Sequence, residues 1–347
     1  MSPNRAYPFS IAPMMDWTDR HCRMFHRTLA PNAAVWTEMV TADAVIHGDR
    51  DRLLGFDARE HPVVLQLGGS DPAKMAEAAQ IGAEWGYDEV NINCGCPSDR
   101  VQSGTFGACL MAEPARVAAC VAAMGEAVPV PVTVKCRIAI DDMPARETLF
   151  GFVDQVADAG CEVFTVHARK AWLKGLSPKQ NRDIPPLDYG LVAELTAARP
   201  DLAIILNGGI DSLEAAARHL AVFDGVMLGR AAYQKPAILL GVAALIDAAR
   251  ASGGDEPVPF VAPAVSTGDF VRKVRDYRPY IEAQLAGGVG LHAMTRHMLG
   301  LFAGRPGARA WRRYLSEHAP RTGAPISVLD DALAHVAEPA AAVAVNS

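Results

Sequence analysis

The reading of the fold turns on residues 62–98, PVVLQLGGSDPAKMAEAAQIGAEWGYDEVNINCGCPS. An apolar, β-branched run, Pro62–Leu67, leads into Gly68-Gly69. Asp71 stands directly before Pro72, a capping residue ahead of a residue suited to the first helical turn, and Pro72–Trp85 has helical character. A second β-branched run, Glu89–Asn93, follows, and Cys94-Gly95-Cys96-Pro97-Ser98 closes the stretch. Strand, helix and strand in this order predict a parallel β-α-β unit.

The same alternation extends in both directions. The strand-like runs are Phe9–Pro13, Val35–Val40, Pro62–Leu67, Glu89–Asn93, Val130–Lys135, Val163–His167, Ala203–Asn207 and Gly225–Leu228. Helical segments lie between them: Glu113–Met124, Thr148–Ala159, Leu187–Ala198 and Ser212–Leu220, the last opened by Asp211 or Ser212. Eight such units predict an α/β fold, a closed (β/α)8 barrel of the TIM type. An open doubly wound sheet is the alternative, but no GxGxxG follows the first run. The alternation stops near Ala251, and Ser252–Pro257 has linker composition. Beyond it Asp269–Gln284, His292–Phe302, Ala308–His318 and Val328–Val336 have helical spacing. The expected organisation is a barrel over residues 1–254 and a C-terminal all-helical domain over 255–347, with a frayed Ala/Val tail.

Composition narrows the class. The 347 residues are 50% hydrophobic and 21% charged, which is globular composition. No window approaches about 18 uncharged apolar residues, so no membrane span is expected. The N-terminus lacks the pattern of a signal peptide, and seven scattered cysteines do not form a disulfide framework; a cytoplasmic protein with reduced thiols is expected. The net charge of −6 argues against a general nucleic-acid coat, but it hides a split. Val265–Arg321 holds ten Lys and Arg against four acids, leaving 23 basic and 35 acidic residues elsewhere. A window of +6 on a remainder of −12 suggests that one part of the molecule meets a polyanion; a solvated helical face is the plainer reading.

In a TIM barrel the chemistry lies at the C-terminal ends of the strands. The runs end in Pro13-Met14-Met15, Glu38, Gln66, Asn91 and Asn93, Lys135, His167, Asn207-Gly208-Gly209 and Gly229-Arg230, so nearly every strand delivers a polar group to one mouth. The glycines after strands seven and eight, with Arg230, occupy the places where such barrels hold phosphate. A strand-end lysine suits either stabilisation of a reduced flavin ring or a Schiff base. Cys96 suits a nucleophile or a proton donor, and the spacing of Cys94 and Cys96 puts them on one face and leaves a disulfide between them open. C-x-C with Cys109 lacks a fourth ligand at zinc spacing, so no metal is expected.

Across nearly the whole chain these motifs resemble the tRNA-dihydrouridine synthases, flavoproteins that reduce the C5=C6 bond of uridines in tRNA. The likeness rests on Ala12-Pro13-Met14, Gln66–Gly69, Asn93–Ser98, Val134-Lys135, Val166–Arg169, Asn207–Gly209 and Gly229-Arg230. Trp17–Arg23, Gly175–Lys179, Ile184–Tyr189 and Thr295–Phe302 resemble the bacterial A-type subgroup, which acts on D-loop positions 20 and 20a. The resemblance implies FMN as cofactor, with hydride from the reduced flavin and NADPH as its transient reductant. It implies that Pro13, Met14, Met15 and Gln66 hold the flavin ring, and that Lys135 and His167 contact its pyrimidine side and ribityl chain. Asn207, Gly208, Gly209, Gly229 and Arg230 would bind its phosphate. Cys96 would donate the proton, and Asn93, Lys179, Arg182 and Arg296 would contact tRNA. The chain departs from the family pattern at Cys94, where an apolar residue is expected. A flavin-free phosphosugar or nucleotide enzyme with Cys96 as nucleophile, and a tRNA-binding barrel without chemistry, are the competing readings.

Overall fold

The computed structural model describes residues 7–98, 106–251 and 260–336. Nine parallel strands build the sheet: β1 Phe9–Ile11, β2 Val35–Trp36, β3 Val40–Thr41, β4 Val63–Gly68, β5 Glu89–Cys94, β6 Val132–Arg137, β7 Val163–His167, β8 Ala203–Asn207 and β9 Gly225–Leu228. Their order is β1-β9-β8-β7-β6-β5-β4-β2, with β3 also on β4. The circle closes through a bridge between Ser10 and Ala34, where Ile11 N donates to Ala34 O at 2.9 Å and Ala34 N to Phe9 O at 3.0 Å. This is the (β/α)8 barrel.

Five of the eight expected strands differ in extent, three by a shift of one or two residues and two by being broken or cut back. The run Val35–Val40 is broken: Val35 and Trp36 pair with Val63 and Val64, whereas Val40 pairs with Leu67. Six residues from Val35 to Val40 therefore span five from Val63 to Leu67, the one-residue excess of a β-bulge. β1 ends at Ile11, before Pro13, which has no N–H for a ladder.

The helices around the barrel are α1 Arg20–Leu29, α2 Ala42–His47, α3 Arg50–Leu54, α4 Pro72–Glu84, α5 Pro114–Ala127, α6 Ala145–Asp158, α7 Tyr189–Ala198, α8 Leu213–Leu220, α9 Arg230–Gln234 and α10 Val242–Ala251. Two of their starts are fixed by side chains that the sequence singles out. Asp71 accepts from Lys74 N with Pro72 in the first turn, and Ser212 accepts from Ala215 N. The outward residues of the strands, among them Leu65, Leu67, Val90, Ile92, Val134, Phe164 and Val166, are fully buried under these helices. Each large aliphatic or aromatic side chain so covered contributes about 1.5–3 kcal/mol.

The barrel interior has two unlike halves. Ala12, Ala34, Trp36, Val64, Val163, Ala203, Ile205 and Met227 form a small apolar cluster of their own. Against it stand the inward residues of β4 to β6, which are mostly polar: Gln66, Glu89, Asn91, Asn93, Thr133, Lys135 and Arg137. Alternation with period two carries each of these inward once its neighbour faces the helices.

After the barrel come α11 Thr267–Ala286, α12 Leu291–Thr295, α13 Ala308–His318 and α14 Ser327–Ala334. The expected helix His292–Phe302 is shorter, because after Thr295 the chain tightens into a 3-10 turn, Arg296–Met298. Close packing accompanies this: a Cβ at Gly300 would stand 2.3 Å from Gln234 O. α11 docks on α1, with Tyr277 OH donating to His21 O at 2.8 Å and Tyr280 OH 2.8 Å from His21 Nδ1. The proposed division at residues 254/255, the linker 252–257 and the Ala/Val tail lie outside the described residues. Within the basic window, Arg272, Lys273, Arg278 and Arg296 are ion-paired. Arg309, Arg312 and Arg313 are exposed on α13. No helix among the described residues is long and apolar enough to cross a membrane.

Candidate active site

Parallel pairing lines up the inward residues of successive strands. Gln66 is level with Asn91 and Thr133; Asn93 is level with Lys135 and Thr165; Arg137 is level with His167 and Asn207. Six of the residues expected at the site are thereby brought to the C-terminal half of one barrel interior: Gln66, Asn93, Lys135, His167, Asn207 and, just beyond β5, Cys96.

Lys135 Nζ donates to Asn207 Oδ1 at 2.9 Å, and Asn207 Nδ2 donates to Met227 O at 2.8 Å. Burial, with Arg137 adding repulsion, pushes the Lys135 ammonium down to about 8. His167 is held well below the usual histidine value, first by burial and then by Arg137, Lys135, Arg169 and Arg182. Both shifts describe a mouth rich in positive charge and poor in water, in which an added anion relieves repulsion.

The turn after β8 is built from Gly208 at φ +113° and Gly209 at φ +70°. A Cβ on Gly208 would stand 2.6 Å from His167 Cδ2, and one on Gly209 would stand 2.5 Å from Leu187 Cδ1 and 2.7 Å from Tyr189 OH. Left-handed backbone and lack of room both demand glycine there. A Cβ on Gly229 would stand in ordinary contact range, 3.7 Å from Ala12 Cβ and 3.8 Å from Met14 Sδ. Arg230 opens α9, its Nη1 2.7 Å from Asp183 Oδ1 and its Nη2 3.2 Å from Arg182 O. Cationic side chains, a two-glycine turn and amides are a donor set that fits a phosphorylated cofactor.

On the loop after β1, Met14 is tied within its own turn. Met14 N donates to Thr18 Oγ1 at 3.0 Å, and Met14 O accepts from Thr18 N at 2.9 Å. Pro13 and Met14 are half-buried, and Met15 is 55% exposed at the rim. Trp17 stacks on Tyr233 with ring centroids 4.3 Å apart.

Cys96 is partly exposed, and its sulphur is near enough to Lys135, Arg137 and Arg182 to bear on their charge. Asn93 holds its loop: Asn93 Oδ1 accepts from Gly95 N at 3.1 Å and from Cys96 N at 3.0 Å. Cys94 does not share a face with Cys96. As the last residue of β5 it faces the helices, fully buried and level with Cys136, and burial pushes its thiol well above the usual value. All seven cysteines are free, which settles the disulfide left open by their spacing.

Lys179 and Arg182 are exposed on the loop after β7. Three arginines anchor that loop. Arg137 donates to Asn181 O at 3.0 Å and to Gly95 O at 3.2 Å; Arg169 donates to Pro185 O; Arg230 holds Asp183. Arg296 lies elsewhere, its Nη2 2.6 Å from Asp19 Oδ2. The carboxylate of Asp19 also lies 3.0 Å from His297 Nε2 and accepts from Cys22 N. Although burial works against it, these partners hold Asp19 well below the usual carboxylate range.

Arg137 and Asn181 have no place in the sequence reading, and Arg169 enters it only within the Val166–Arg169 motif. Arg137 was within reach of it, since it follows Lys135 by two residues on the same inward face. Asn181 is fully buried with its side-chain amide bonded to Trp172 N and O, and a lone Asn in an irregular loop carries no signal for that.

Comparison with known proteins adds to this geometry. The profile of the dihydrouridine synthase (Dus) family matches residues 10–337. The chain is similar to a tRNA-dihydrouridine(20/20a) synthase of Xanthomonas axonopodis pv. citri, 57% identical over 324 residues, covering 93% of this chain and 92% of that protein. It is also 54% identical to proteins of that name from Salmonella typhimurium and Escherichia coli K12. The matches cover 96% of this chain and 96% of the former, and 95% and 92% for the latter.

Proposed function

The chain belongs to the dihydrouridine synthase family, and from that premise we propose that it reduces uridine to 5,6-dihydrouridine at D-loop positions 20 and 20a of tRNA, using FMN and NADPH. The observation that carries the reading is the convergence of Cys96 with Lys135, His167, Asn207 and the two-glycine turn in one positively charged mouth. In this reading Asn207, Gly208, Gly209, Gly229 and Arg230 hold the FMN phosphate. Pro13, Met14, Met15, Gln66, Lys135 and His167 surround the rest of the cofactor. When bound, FMN supplies the hydride that saturates the pyrimidine double bond, and NADPH restores it.

The chain's own residues do the remainder. Lys135, fixed by Asn207, offers a positive charge that an anionic ring strengthens, because an anion raises the depressed ammonium back toward its ordinary value. Cys96 holds the proton delivered to C5, on a loop kept at the mouth by Asn93 and Arg137. The target uridine has to leave its stack to reach a thiol set at the barrel mouth. Asn93, Lys179, Arg182 and Arg296 are the proposed tRNA contacts, joined by the exposed cations of α13. Arg296 then works from its pair with Asp19, beside the loop after β1. A barrel unit over 1–254 and a tRNA-binding helical unit over 255–347, in the cytoplasm, complete the reading. No stable protein partner and no membrane enter it.

The visible spectrum of the purified protein tests it. Flavin bands that bleach with NADPH and return on adding unmodified tRNA are expected; a colourless protein supports the flavin-free alternative.

A further inference from the structure

A continuous chain of hydrogen bonds runs down the barrel interior from the Cys96 loop to a carboxyl group that the proposed reaction does not use. Gly95 N and Cys96 N donate to Asn93 Oδ1 at 3.1 and 3.0 Å. Asn93 Nδ2 donates to Gln66 Oε1 at 2.8 Å, and Gln66 Nε2 to Asn91 Oδ1 at 2.9 Å. Asn91 Nδ2 donates to Thr133 Oγ1 at 2.8 Å, and Thr133 Oγ1 to Glu89 Oε1 at 2.5 Å. Gln66, Asn91, Thr133 and Glu89 are all buried, with no more than 5% exposed, and Asn93 is 8% exposed.

The polarity of this chain is fixed from both ends. Backbone N–H groups only donate, so Asn93 must present its oxygen to the Cys96 loop and its NH2 to Gln66. Gln66 and Asn91 must then face the same way in turn, and the Thr133 hydroxyl, having accepted from Asn91, has its proton free to give. A carboxylate only accepts, and Glu89 stands where that proton points. Amides in the middle are symmetric enough to flip; the backbone N–H end is not, and neither is the Glu89 end while its carboxyl is ionised.

We infer that Thr133 and Glu89 are positioning residues for Cys96: they lock three side-chain amides in the one orientation that gives the Cys96 loop its acceptor. Without them the reversed chain turns the Asn93 NH2 toward two backbone N–H groups and releases the loop. The effect passes through Gln66, so the same lock also orients the amide proposed to face the flavin. Burial pushes the Glu89 carboxyl up to about 7; the ionised form can only accept from Thr133, whereas the neutral form keeps an accepting oxygen but gains an O–H, so the lock is tightest with Glu89 ionised. The importance of the lock for catalysis rests on Cys96 being the proton donor; its existence does not.

The test therefore uses the cofactor-free protein. Thr133→Val removes the hydroxyl and keeps the volume, Thr133→Ser restores the hydroxyl, and Glu89→Met removes the terminal acceptor. Hydrogen exchange followed by mass spectrometry reads the segment carrying Gly95 and Cys96, with β7 and β8 as internal references. Iodoacetamide labelling with peptide mapping reads the Cys96 thiol. Thr133→Val and Glu89→Met are each expected to speed exchange in the Cys96 segment about tenfold and labelling several-fold. β7 and β8 should stay unchanged, and Thr133→Ser should match the parent. Parent-like exchange at Cys96 in either folded variant overturns the inference. So does a Thr133→Ser protein as open as Thr133→Val, or loosening spread equally over β7 and β8. If the lock holds in this test but Cys96→Ala reduces tRNA normally, it is the catalytic reading that fails, not the lock.

Discussion

Replacing Lys135 by Met keeps the length of the side chain and removes its charge, and the structure sets the size of the effect. In the free protein burial and Arg137 bring the ammonium from its ordinary 10.5 down to about 8. A bound flavin that places an anion beside Nζ raises it again, toward the ordinary value. The sign follows from linkage: the complex binds more protons than the free protein, so affinity is highest below pH 8 and falls as pH rises through it. Full recovery corresponds to an affinity for FMN about tenfold weaker at pH 9 than at pH 7, with roughly three-quarters of a proton taken up at pH 8.5. Titrating the flavin-free protein with FMN by fluorescence quenching measures the first quantity. Calorimetry in buffers of different ionisation enthalpy measures the second. Lys135→Met should lose the pH slope and the proton uptake, and should bind about 10–100-fold more weakly, the range for losing a hydrogen bond to a charged group. A flat profile in the parent, or an unchanged slope in Lys135→Met, refutes the reasoning.

Further outcomes follow from the same geometry. Cys96→Ala should stay yellow and reducible by NADPH, while oxidation of the flavin by tRNA slows about 10²–10⁴-fold in stopped flow; Cys94→Ala, which touches only the outer core, should leave that rate within a few-fold. Asp19→Asn should lower stability by about 1.5–3 kcal/mol at pH 7. Because the Asp19 carboxyl is held below its unfolded value, that difference is present above about pH 4 and fades below it, as urea unfolding at both pH values will read. Glu89 has the opposite sign. Its raised carboxyl costs nothing below about pH 4.5 and progressively more through pH 7, so Glu89→Gln should gain on the order of 2–3 kcal/mol relative to the parent between pH 5 and pH 8. Arg309→Ala and Arg312→Ala on α13 should each flatten the salt dependence of tRNA binding by a slope of about 0.7–0.9, read by filter binding at several salt concentrations.

Much of the barrel was legible because its strands are buried on both faces and most end in or lead into a polar residue. The run Val163–His167 and the run Ala203–Asn207 coincide with β7 and β8. Helix starts were legible where a side chain caps them, as Asp71 and Ser212 do. The bulge that splits Val35–Val40 was hidden, since Thr37 and Glu38 do not interrupt a strand-like composition; what breaks the ladder is a register on β4 that sequence does not print. The site was legible as a row of strand ends, because period two in a closed barrel leaves those residues nowhere to point but inward. What was not legible is how they pair. The sequence assigns Arg230 to phosphate and Arg296 to tRNA and shows no protein partner for either, yet both are ion-paired, with Asp183 and Asp19. These partners come from loops brought together only by closure of the barrel and by docking of α11 and α12 on α1. Glu89 escaped notice for a related reason: it begins a strand, far from the mouth, and only the inward stack Glu89-Asn91-Asn93 ties it to the site.

The central claim is tested most directly by incubating the purified protein with NADPH and an unmodified tRNA that carries uridine at positions 20 and 20a, then mapping the product by nuclease digestion and mass spectrometry. The account predicts a gain of two hydrogens on uridines at those positions and at no other uridine of the molecule. It also predicts that the gain is lost in Cys96→Ala. A tRNA recovered unchanged from a protein that binds it and carries reducible flavin, or dihydrouridine formed outside that part of the D-loop, would contradict it.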